Sequence, residues 1–372
     1  MDYLKQAKIR GKTMRFPVYF PDATRAVIRS LDSHDLQEAK IEGLILNPYH
    51  LMSQPSINTI KKFKGVKQYM NWPGFVITDS GGWQLLSLVH KDKKFGKITN
   101  KGVVFYKDSL GENKKLVFTP EKSIQLQFDI GADIIICLDD CPGKNASKKE
   151  TGEAVDRTIL WAQKCKTAFQ KMWETRSPTS RLARPLLFSV IQGGNDLKLR
   201  TRCAKELVRI GFDGYGWGGW TADETGRLDL KIAKFIIRQL PPKSIKFALG
   251  VGYPWDIIDC AKLGYHIFDC VIPTRDARHQ RLYVWAKNPE KTNIKKVNSR
   301  KLFNYFYPGK KKYANDPKPI DQFCDCRLCR NHSRAYLRHL FKIGDALAWR
   351  LASIHNLRIY TKLIEILRKN VK

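Results

Sequence analysis

Three aspartates stand where a carboxylate could do chemistry. Asp79, Asp139 and Asp269 each come directly after a short apolar run, and Asp140 follows Asp139. A carboxylate can attack an electrophilic carbon, exchange a proton with a substrate or accept hydrogen bonds from N–H groups. A single aspartate after a strand is often only the N-cap of the next helix. Three such aspartates, together with the glycine pairs and the glutamine described next, favour a shared site.

Paired glycines lie at or just after the ends of three apolar runs. Gly-Gly pairs occupy positions 81–82, 193–194 and 218–219, and Gln192 stands directly before the second pair. Glycine lets the backbone approach a ligand closely. Guanine presents N–H donors beside the O6 acceptor, so a set of aspartate, glutamine amide and backbone N–H groups complements it well. This set indicates a ligand site suited to a purine, although it is not unique to guanine.

A second constellation consists of thiols. Cys324, Cys326 and Cys329 lie within six residues, a spacing that lets one turn present three sulfur atoms to a tetrahedral Zn²⁺ ion. A fourth ligand must come from downstream, and the spacing does not choose among three histidines: His332, His339 and His355. With four protein ligands, such a site would be structural.

The elements that must position these residues follow a recurring order. Short apolar runs alternate with longer stretches of helical spacing, which is typical of strands buried on both faces of a parallel sheet. The number of repeats favours a closed (β/α)8 TIM barrel over an open sheet, and in a barrel the three aspartates share the C-terminal rim. The runs lie at 43–47, 75–79, 134–139, 187–192, 211–219, 247–250 and 265–269.

Helix ends and composition suggest how the chain is divided. Thr119 before Pro120 predicts a helix start, and Gly131 predicts its end. We expect a barrel domain over 1–307 with an inserted hairpin near 91–118, followed by a zinc-binding helical subdomain over 308–372.

Composition bounds the class of protein. The 372 residues include 67 Lys+Arg against 35 Asp+Glu, a net charge of +32. A surface this basic favours a polyanionic partner, although a lysine-rich surface with evenly spread charge would give the same number. Hydrophobic residues make up 43%, which excludes wholesale disorder. No apolar stretch is long enough for a membrane span or a secretory signal, and six cysteines are scattered, so we expect reduced thiols in the cytoplasm.

Several motifs occur together in one order. The chain resembles the tRNA-guanine transglycosylase (queuine/preQ1 tRNA-ribosyltransferase) family over nearly its whole length. The matching segments are Asn-Pro-Tyr-His at 47–50, Thr-Asp-Ser-Gly-Gly-Trp-Gln at 78–84, Leu-Asp-Asp-Cys at 138–141, Ile-Gln-Gly-Gly at 191–194, Gly-Phe-Asp-Gly-Tyr at 211–215, Gly-Val-Gly at 250–252, Phe-Asp-Cys-Val-Ile-Pro-Thr-Arg at 268–275 and the cysteine cluster at 324–329.

The resemblance implies an enzyme that replaces guanine at the wobble position of a tRNA anticodon with a 7-deazaguanine such as preQ1. It implies that Asp269 attacks ribose C1′ to form a covalent intermediate and that Asp79 is the general acid/base. It also implies that His355 is the fourth ligand of a structural Zn²⁺. A homodimer is expected, with neither a redox cofactor nor ATP.

The resemblance also assigns binding residues. For the base these are Trp83, Asp139, Cys141, Gln192, Gly219, Trp220 and Leu249. For the tRNA anticodon loop they are Arg275 and Arg278. Cys141 resembles the residue of bacterial enzymes that insert preQ1, and Glu224 matches a residue that reads the aminomethyl group.

Some positions depart from the family pattern. Trp220 replaces an aliphatic residue, His279-Gln280 replaces Asn-Gly, and Leu249 replaces a methionine, which alters the shape of the pocket more than its reaction. Two alternatives remain, namely a related enzyme that acts on DNA and a catalytically silent RNA-binding paralogue. The presence of both Asp79 and Asp269 speaks against the silent paralogue.

Overall fold

The computed structural model describes residues 4–82, 85–90, 92–107, 112, 115–176, 184–294 and 296–370. In chain order the strands are β1 (Gln6–Ile9), β2 (Lys12–Arg15), β3 (Val18–Pro21), β4 (Gly43–Leu46), β5 (Phe75–Thr78), β6 (Gly96–Thr99), β7 (Gly102–Phe105), β8 (Leu116–Phe118), β9 (Ile134–Ile136), β10 (Leu186–Ile191), β11 (Gly214–Trp217), β12 (Ile245–Ala248), β13 (Ile267–Cys270), β14 (Leu282–Trp285) and β15 (Phe303–Phe306).

The helices lie between and after these strands. They are α1 (Ser33–Glu38), α2 (Pro48–Ser53), α3 (Ile57–Lys62), α4 (Val66–Met70), α5 (Pro120–Ile130), α6 (Lys148–Arg176), α7 (Leu197–Ile210), α8 (Leu230–Gln239), α9 (Pro254–Leu263), α10 (Ile272–Arg278), α11 (Arg327–Asn331), α12 (Arg334–Ile343) and α13 (Ala346–Asn370). Thr119 caps α5 as expected, and Gly131 ends it in the left-handed conformation. Within the described ranges, no helix is both long and apolar enough to cross a membrane.

Eight parallel strands form the barrel that the sequence predicts. Their order is β3-β13-β12-β11-β10-β9-β5-β4. The ends of this order meet, because Asp22 pairs with Ile45 in a parallel bridge and the Ala23 amide donates to the Ile45 carbonyl at 2.8 Å. The TIM-barrel prediction is therefore confirmed. The strand β3 was absent from the predicted runs, because it has only four residues, begins directly after Pro17 and ends at Pro21.

Alternation along the strands decides which side chains reach the substrate end. On β3, Val18 and Phe20 belong to the apolar cluster inside the barrel, whereas Tyr19 packs into the outer core. Because successive side chains point to opposite faces, the next inward position is Asp22, just beyond the C-terminal end of the strand. We call this end of the barrel the mouth. The same alternation brings these further side chains to the mouth: Asn47, Asp79, Gln192 and Asp269.

The C-terminal region completes the outer layer of the barrel. Helix α13 packs on the outer face of β3, where the rings of Tyr360 and Tyr19 have centroids 4.9 Å apart. Its residues share the outer core with the barrel helices. A C-terminal helical region was expected here, and a domain boundary near residue 308 stays a prediction. Separately, β6, β7 and β8 form a three-stranded antiparallel sheet, and β14 pairs with β15.

Candidate active site at the barrel mouth

Asp79 is held at the end of β5 by two donors. The Asn47 side-chain amide donates to Oδ2 at 2.9 Å, and the Ser80 backbone N–H donates to Oδ1 at 2.7 Å. Burial nevertheless raises the pKa of Asp79 to about 6, and the charge of Asp22 adds to the rise. A carboxyl group with this pKa can both give and take a proton near neutral pH.

Asp269 lies on β13, and its side chain points into the mouth next to β3, the strand that leads to Asp22. The backbone N–H of Gly250 donates to Oδ1 of Asp269 at 2.9 Å, which fixes one oxygen of the carboxylate. Burial raises the pKa of Asp269 well above its usual range, and the negative charges of Asp22 and Asp79 raise it further. Ionising Asp269 therefore costs free energy until a positive charge arrives nearby.

Asp139 lies in a hydrogen-bonded network that joins three loops. The Ser80 hydroxyl donates to Oδ1 at 2.6 Å and the Gln192 amide donates to Oδ2 at 2.7 Å. Burial raises the pKa of Asp139 to about 7, against the effect of these two hydrogen bonds. The neighbouring Asp140 is engaged elsewhere, because Arg157 donates to it at 2.6 Å and His90 lies at the same distance from its other oxygen. Asp139 alone of this pair serves the network.

Gln192 has an acceptor that the protein leaves unused. Its side-chain oxygen is buried, and no donor in the described part of the chain reaches it. Two glycines enclose this part of the network. A β-carbon on Gly82 would collide with Asp139 Oδ1, and one on Gly218 would lie 2.5 Å from Gln192 Nε2. A buried acceptor without a partner is costly, so the arrangement is suited to a ligand that brings its own N–H donors.

The other residues expected around a base lie in the segments that follow β9, β11 and β12. Leu249 is half-buried and lies over Gly216, and Cys141 is buried. Gly219 and Trp220 line a cavity of about 270 Å³, and the Trp220 side chain is 42% exposed. Trp83 lies outside the described residues.

Arg275 and Arg278 lie on α10, directly after the strand that bears Asp269. Arg275 is exposed and Arg278 is half-buried. Burial and the positive charges of Arg29 and Arg275 lower the pKa of Arg278, so three guanidinium groups gather at this side of the mouth. Such a cluster attracts phosphates, whose oxygens arginine binds in pairs. Arg29 did not figure in the sequence prediction.

A buried glutamine that the sequence prediction missed links the two strands that lead to Asp79 and Asp139. Gln127 on α5 accepts from the Thr78 hydroxyl at 2.8 Å and from the Ile136 N–H at 2.9 Å, and it donates to the Ile136 carbonyl at 2.9 Å. One side chain thus links the ends of β5 and β9, which precede Asp79 and Asp139. A polar residue on the buried face of the predicted helix is the only signal that could have indicated it.

The predicted thiol cluster forms around one of the three histidines. The ligand atoms of Cys324, Cys326, Cys329 and His355 lie within 4.8 Å of one another, and all four residues are buried. Nδ1 of His355 lies 3.5 Å from Cys326 Sγ and 3.3 Å from Cys329 Sγ. Its Nε2 lies 2.8 Å from the Tyr283 carbonyl oxygen, which can only accept, so Nε2 carries a proton and Nδ1 is the ring nitrogen that faces the thiols. A cluster with these donors fits a tetrahedral metal ion.

A family model and individual proteins of known family both match this chain over nearly its whole length. A family model described as "Queuine tRNA-ribosyltransferase" matches residues 4–372. A protein of that name from Methylacidiphilum infernorum (isolate V4) is 37% identical over 95% of this chain and 87% of its own length. Proteins of the same name from Staphylococcus haemolyticus (strain JCSC1435) and Blochmanniella floridana are 35% and 34% identical, each over 96% of this chain and over 85% and 86% of their own lengths.

Proposed function

The chain belongs to the queuine tRNA-ribosyltransferase family, and we propose that it replaces guanine at the wobble position of a tRNA anticodon with a 7-deazaguanine such as preQ1. The observation that supports this most directly is the network of Ser80, Asp139 and Gln192, with its unused buried acceptor. A guanine-like base offers N–H donors to that acceptor and to the carboxylate, and an O6 acceptor to an N–H group.

Asp269 is the proposed nucleophile. Its carboxylate forms a bond to ribose C1′ as the bond from C1′ to guanine N9 breaks, and the departing guanine takes a proton on N9. The incoming base then loses its N9 proton and forms a new bond to C1′, which releases Asp269 as a carboxylate. Two displacements at one carbon preserve the original configuration.

Asp79 is the proposed proton carrier between these two steps. Its pKa near 6 allows it to donate the proton that the departing base needs and to accept the one that the incoming base loses. The raised pKa of Asp269 fits the same scheme, because the positive charge that develops on the ribose stabilises the ionised carboxylate in the transition state. The hydrogen bond from Gly250 keeps one oxygen of that carboxylate fixed meanwhile.

The base pocket is proposed to comprise Asp139, Gln192, Gly219 and Trp220 with Cys141 and Leu249 on its walls. Trp83 belongs to the same proposal on resemblance alone. The cavity beside Gly219 and Trp220 leaves room for a substituent on the incoming base. Cys141 and Glu224 favour preQ1 as that base, again on resemblance.

The proposed macromolecular partner is tRNA. We propose that Arg275 and Arg278 contact phosphates of the anticodon loop, and the net charge of +32 favours binding of a polyanion without regard to sequence. We propose the cytoplasm as the location and a homodimer as the functional form.

Zn²⁺ is the proposed occupant of the cluster formed by Cys324, Cys326, Cys329 and His355. Four protein ligands leave no position for a substrate, so the ion would cross-link the C-terminal region rather than act in the reaction. Its thiolates would be held together with the imidazole that Tyr283 orients.

The test is exchange of labelled guanine into purified tRNA and into duplex DNA, with wild-type protein and the Asp269→Asn variant. We expect label to enter tRNA only, and the variant to lose both exchange and the denaturant-stable protein–RNA adduct. Asp256→Asn is the matched control, because Asp256 is a buried carboxyl group on α9 whose pKa burial raises to about 7. Label in DNA alone, or an adduct that persists in Asp269→Asn, would overturn the proposal.

A further inference from the structure

Asp22 is an acidic residue at the mouth that the proposed reaction does not use. It follows β3, the strand between the nucleophile's strand β13 and β4. In the pairing of β13 with β3, Asp269 lies opposite Phe20. Asp22 is the next residue of that segment whose side chain points into the barrel, so it lies farther into the mouth than Asp269. Its charge is close enough to raise the pKa of both Asp269 and Asp79.

The order of strands around the barrel divides the mouth into two sides. The proposed base contacts Asp139, Gln192 and Gly219 follow β9, β10 and β11. Going around the barrel from β11, the next strands are β12, then β13 with Asp269, and then β3, which leads to Asp22. Asp22 therefore lies on the side of Asp269 that faces away from the base contacts. A nucleotide whose base meets β9–β11 and whose C1′ meets Asp269 therefore extends its sugar toward β3.

The chemistry of a polynucleotide limits what a carboxylate can bind there. The 3′ and 5′ oxygens are esterified, and a phosphate would repel the carboxylate. The 2′-hydroxyl is the one hydrogen-bond donor on the sugar, and it distinguishes RNA from DNA. It is attached to the carbon next to C1′, the atom that Asp269 must reach.

We propose that the Asp22 carboxylate accepts a hydrogen bond from the 2′-hydroxyl of the target nucleotide and thereby selects RNA over DNA. The inference rests on the proposed function, since it requires Asp269 to act on that nucleotide. In the described part of the chain, no side-chain or backbone donor bonds to the Asp22 carboxylate. Burial raises the pKa of Asp22 to about 6, which means that its ionised form is destabilised. A hydrogen-bond donor from the substrate would offset that free-energy cost.

Such a contact also serves the reaction. A hydrogen bond to the sugar hydroxyl next to the reacting carbon strengthens as positive charge develops on the ring, as in glycoside hydrolysis. Losing it should therefore slow the chemical step as well as weaken binding. If Asp22 only repelled the charge of Asp269, its removal would instead speed attack by Asp269. The two roles therefore predict opposite changes in rate.

The experiment compares two anticodon stem-loop RNAs that differ only in a 2′-hydroxyl or a 2′-hydrogen at the target guanosine. We measure kcat/KM for guanine exchange with wild type, Asp22→Ala and Asp22→Asn, and take the ratio of ribose to deoxyribose substrate for each protein. The ratio cancels general effects of a substitution on Asp269 or on folding. We expect Asp22→Ala to lower this ratio by about ten- to a hundredfold, as loss of a hydrogen bond to a charged group predicts.

The variants separate the possible outcomes. Asp22→Asn keeps the shape and a neutral acceptor, so its ratio should fall between those of wild type and Asp22→Ala, and the Asp256→Asn control should keep the wild-type ratio. A ratio that changes less than twofold in Asp22→Ala, while wild type exchanges guanine normally, overturns this inference and leaves the proposed function intact. Absence of exchange by wild type on the ribose substrate would overturn both.

Discussion

The hydroxyl of Ser80 donates a hydrogen bond to Asp139 across 2.6 Å, although the two residues are 59 positions apart in the chain. The same hydroxyl oxygen accepts the Gly82 backbone N–H at 2.9 Å. One small side chain thus fixes the glycine turn after β5 and orients the carboxylate after β9. Since the Ser80 backbone N–H also donates to Asp79, Ser80 holds both the proposed base-binding carboxylate of Asp139 and that of the proposed proton carrier Asp79.

Ser80→Ala should weaken binding of the incoming base. The Ser80 hydroxyl lowers the pKa of Asp139, so its removal raises that pKa further above about 7 and leaves more Asp139 protonated at neutral pH. A protonated Asp139 accepts fewer hydrogen bonds from the base. We expect KM for guanine to rise by about ten- to a hundredfold at pH 7, the effect of one hydrogen bond to a charged group.

The measurement is KM for guanine as a function of pH, with Ser189→Ala as the matched control. Ser189 is a buried serine on β10 whose hydroxyl has no partner in the described residues, so its loss should leave KM unchanged. If Ser80→Ala kept the wild-type KM at every pH, the carboxylate of Asp139 would not depend on this contact for base binding.

The exchange reaction should lose activity on the acidic side of neutrality. As the proposed nucleophile, Asp269 must be ionised to attack, and its pKa is raised by burial and by the charges of Asp22 and Asp79. A group that acts in its ionised form and has a raised pKa gains activity as pH rises through that pKa and loses it below. Since Asp22 and Asp79 themselves have pKa values near 6, kcat/KM should fall below about pH 6 with an apparent pKa that belongs to the three groups together.

Asp22→Asn tests this coupling through the pH at which activity is lost, and not through the maximal activity. Removing one negative charge makes ionisation of Asp269 easier, so the acidic limb should move to lower pH by about one unit. The Asp256→Asn variant should leave the limb where it is. A limb that stayed fixed in Asp22→Asn would show that the charge of Asp22 does not act on the ionisation required for attack.

Much of this architecture can be predicted from the sequence because it depends on local patterns. Continuous apolar runs followed by Asp79 and Asp269 indicated strands that end at one rim, and the barrel confirms that placement. The spacing of Cys324, Cys326 and Cys329 indicated a cluster on one turn for the same reason. In each case the residues that matter are close together in the chain.

The remainder depends on contacts between distant residues, which local patterns do not encode. Asp22 was overlooked because the strand before it, β3, has only four residues, begins directly after Pro17 and ends at Pro21. The role of Gln127 could not be predicted, because its partners Thr78 and Ile136 contact it only once the barrel has formed. The choice of His355 among three histidines likewise follows from the position of α13, and spacing had left it open.

Loss of the proposed Zn²⁺ ion should destabilise the protein before it affects the reaction. Asn356, next to His355, donates to the Pro273 carbonyl at 2.9 Å and accepts the Tyr283 N–H at 3.0 Å, while Tyr360 donates to the Gly252 carbonyl at 2.6 Å. Through these contacts α13 supports the segments next to β12 and β13. Cys326→Ser should remove about one Zn²⁺ per chain and lower the free energy of unfolding by about 4 kcal/mol or more, as loss of a structural metal does.

The measurements are metal content by mass spectrometry and unfolding in denaturant, together with guanine exchange at a temperature where the variant is still folded. Cys165→Ser is the matched control, because Cys165 is a buried cysteine on α6 whose thiol lies 3.7 Å from the Pro120 carbonyl oxygen and far from the cluster in the chain. It should keep its Zn²⁺ and most of its stability. We expect the folded Cys326→Ser protein to retain exchange, because the cluster contributes no group to the mouth. Unchanged metal content in that variant would contradict the assigned ligands, and loss of exchange without loss of stability would contradict a purely structural role.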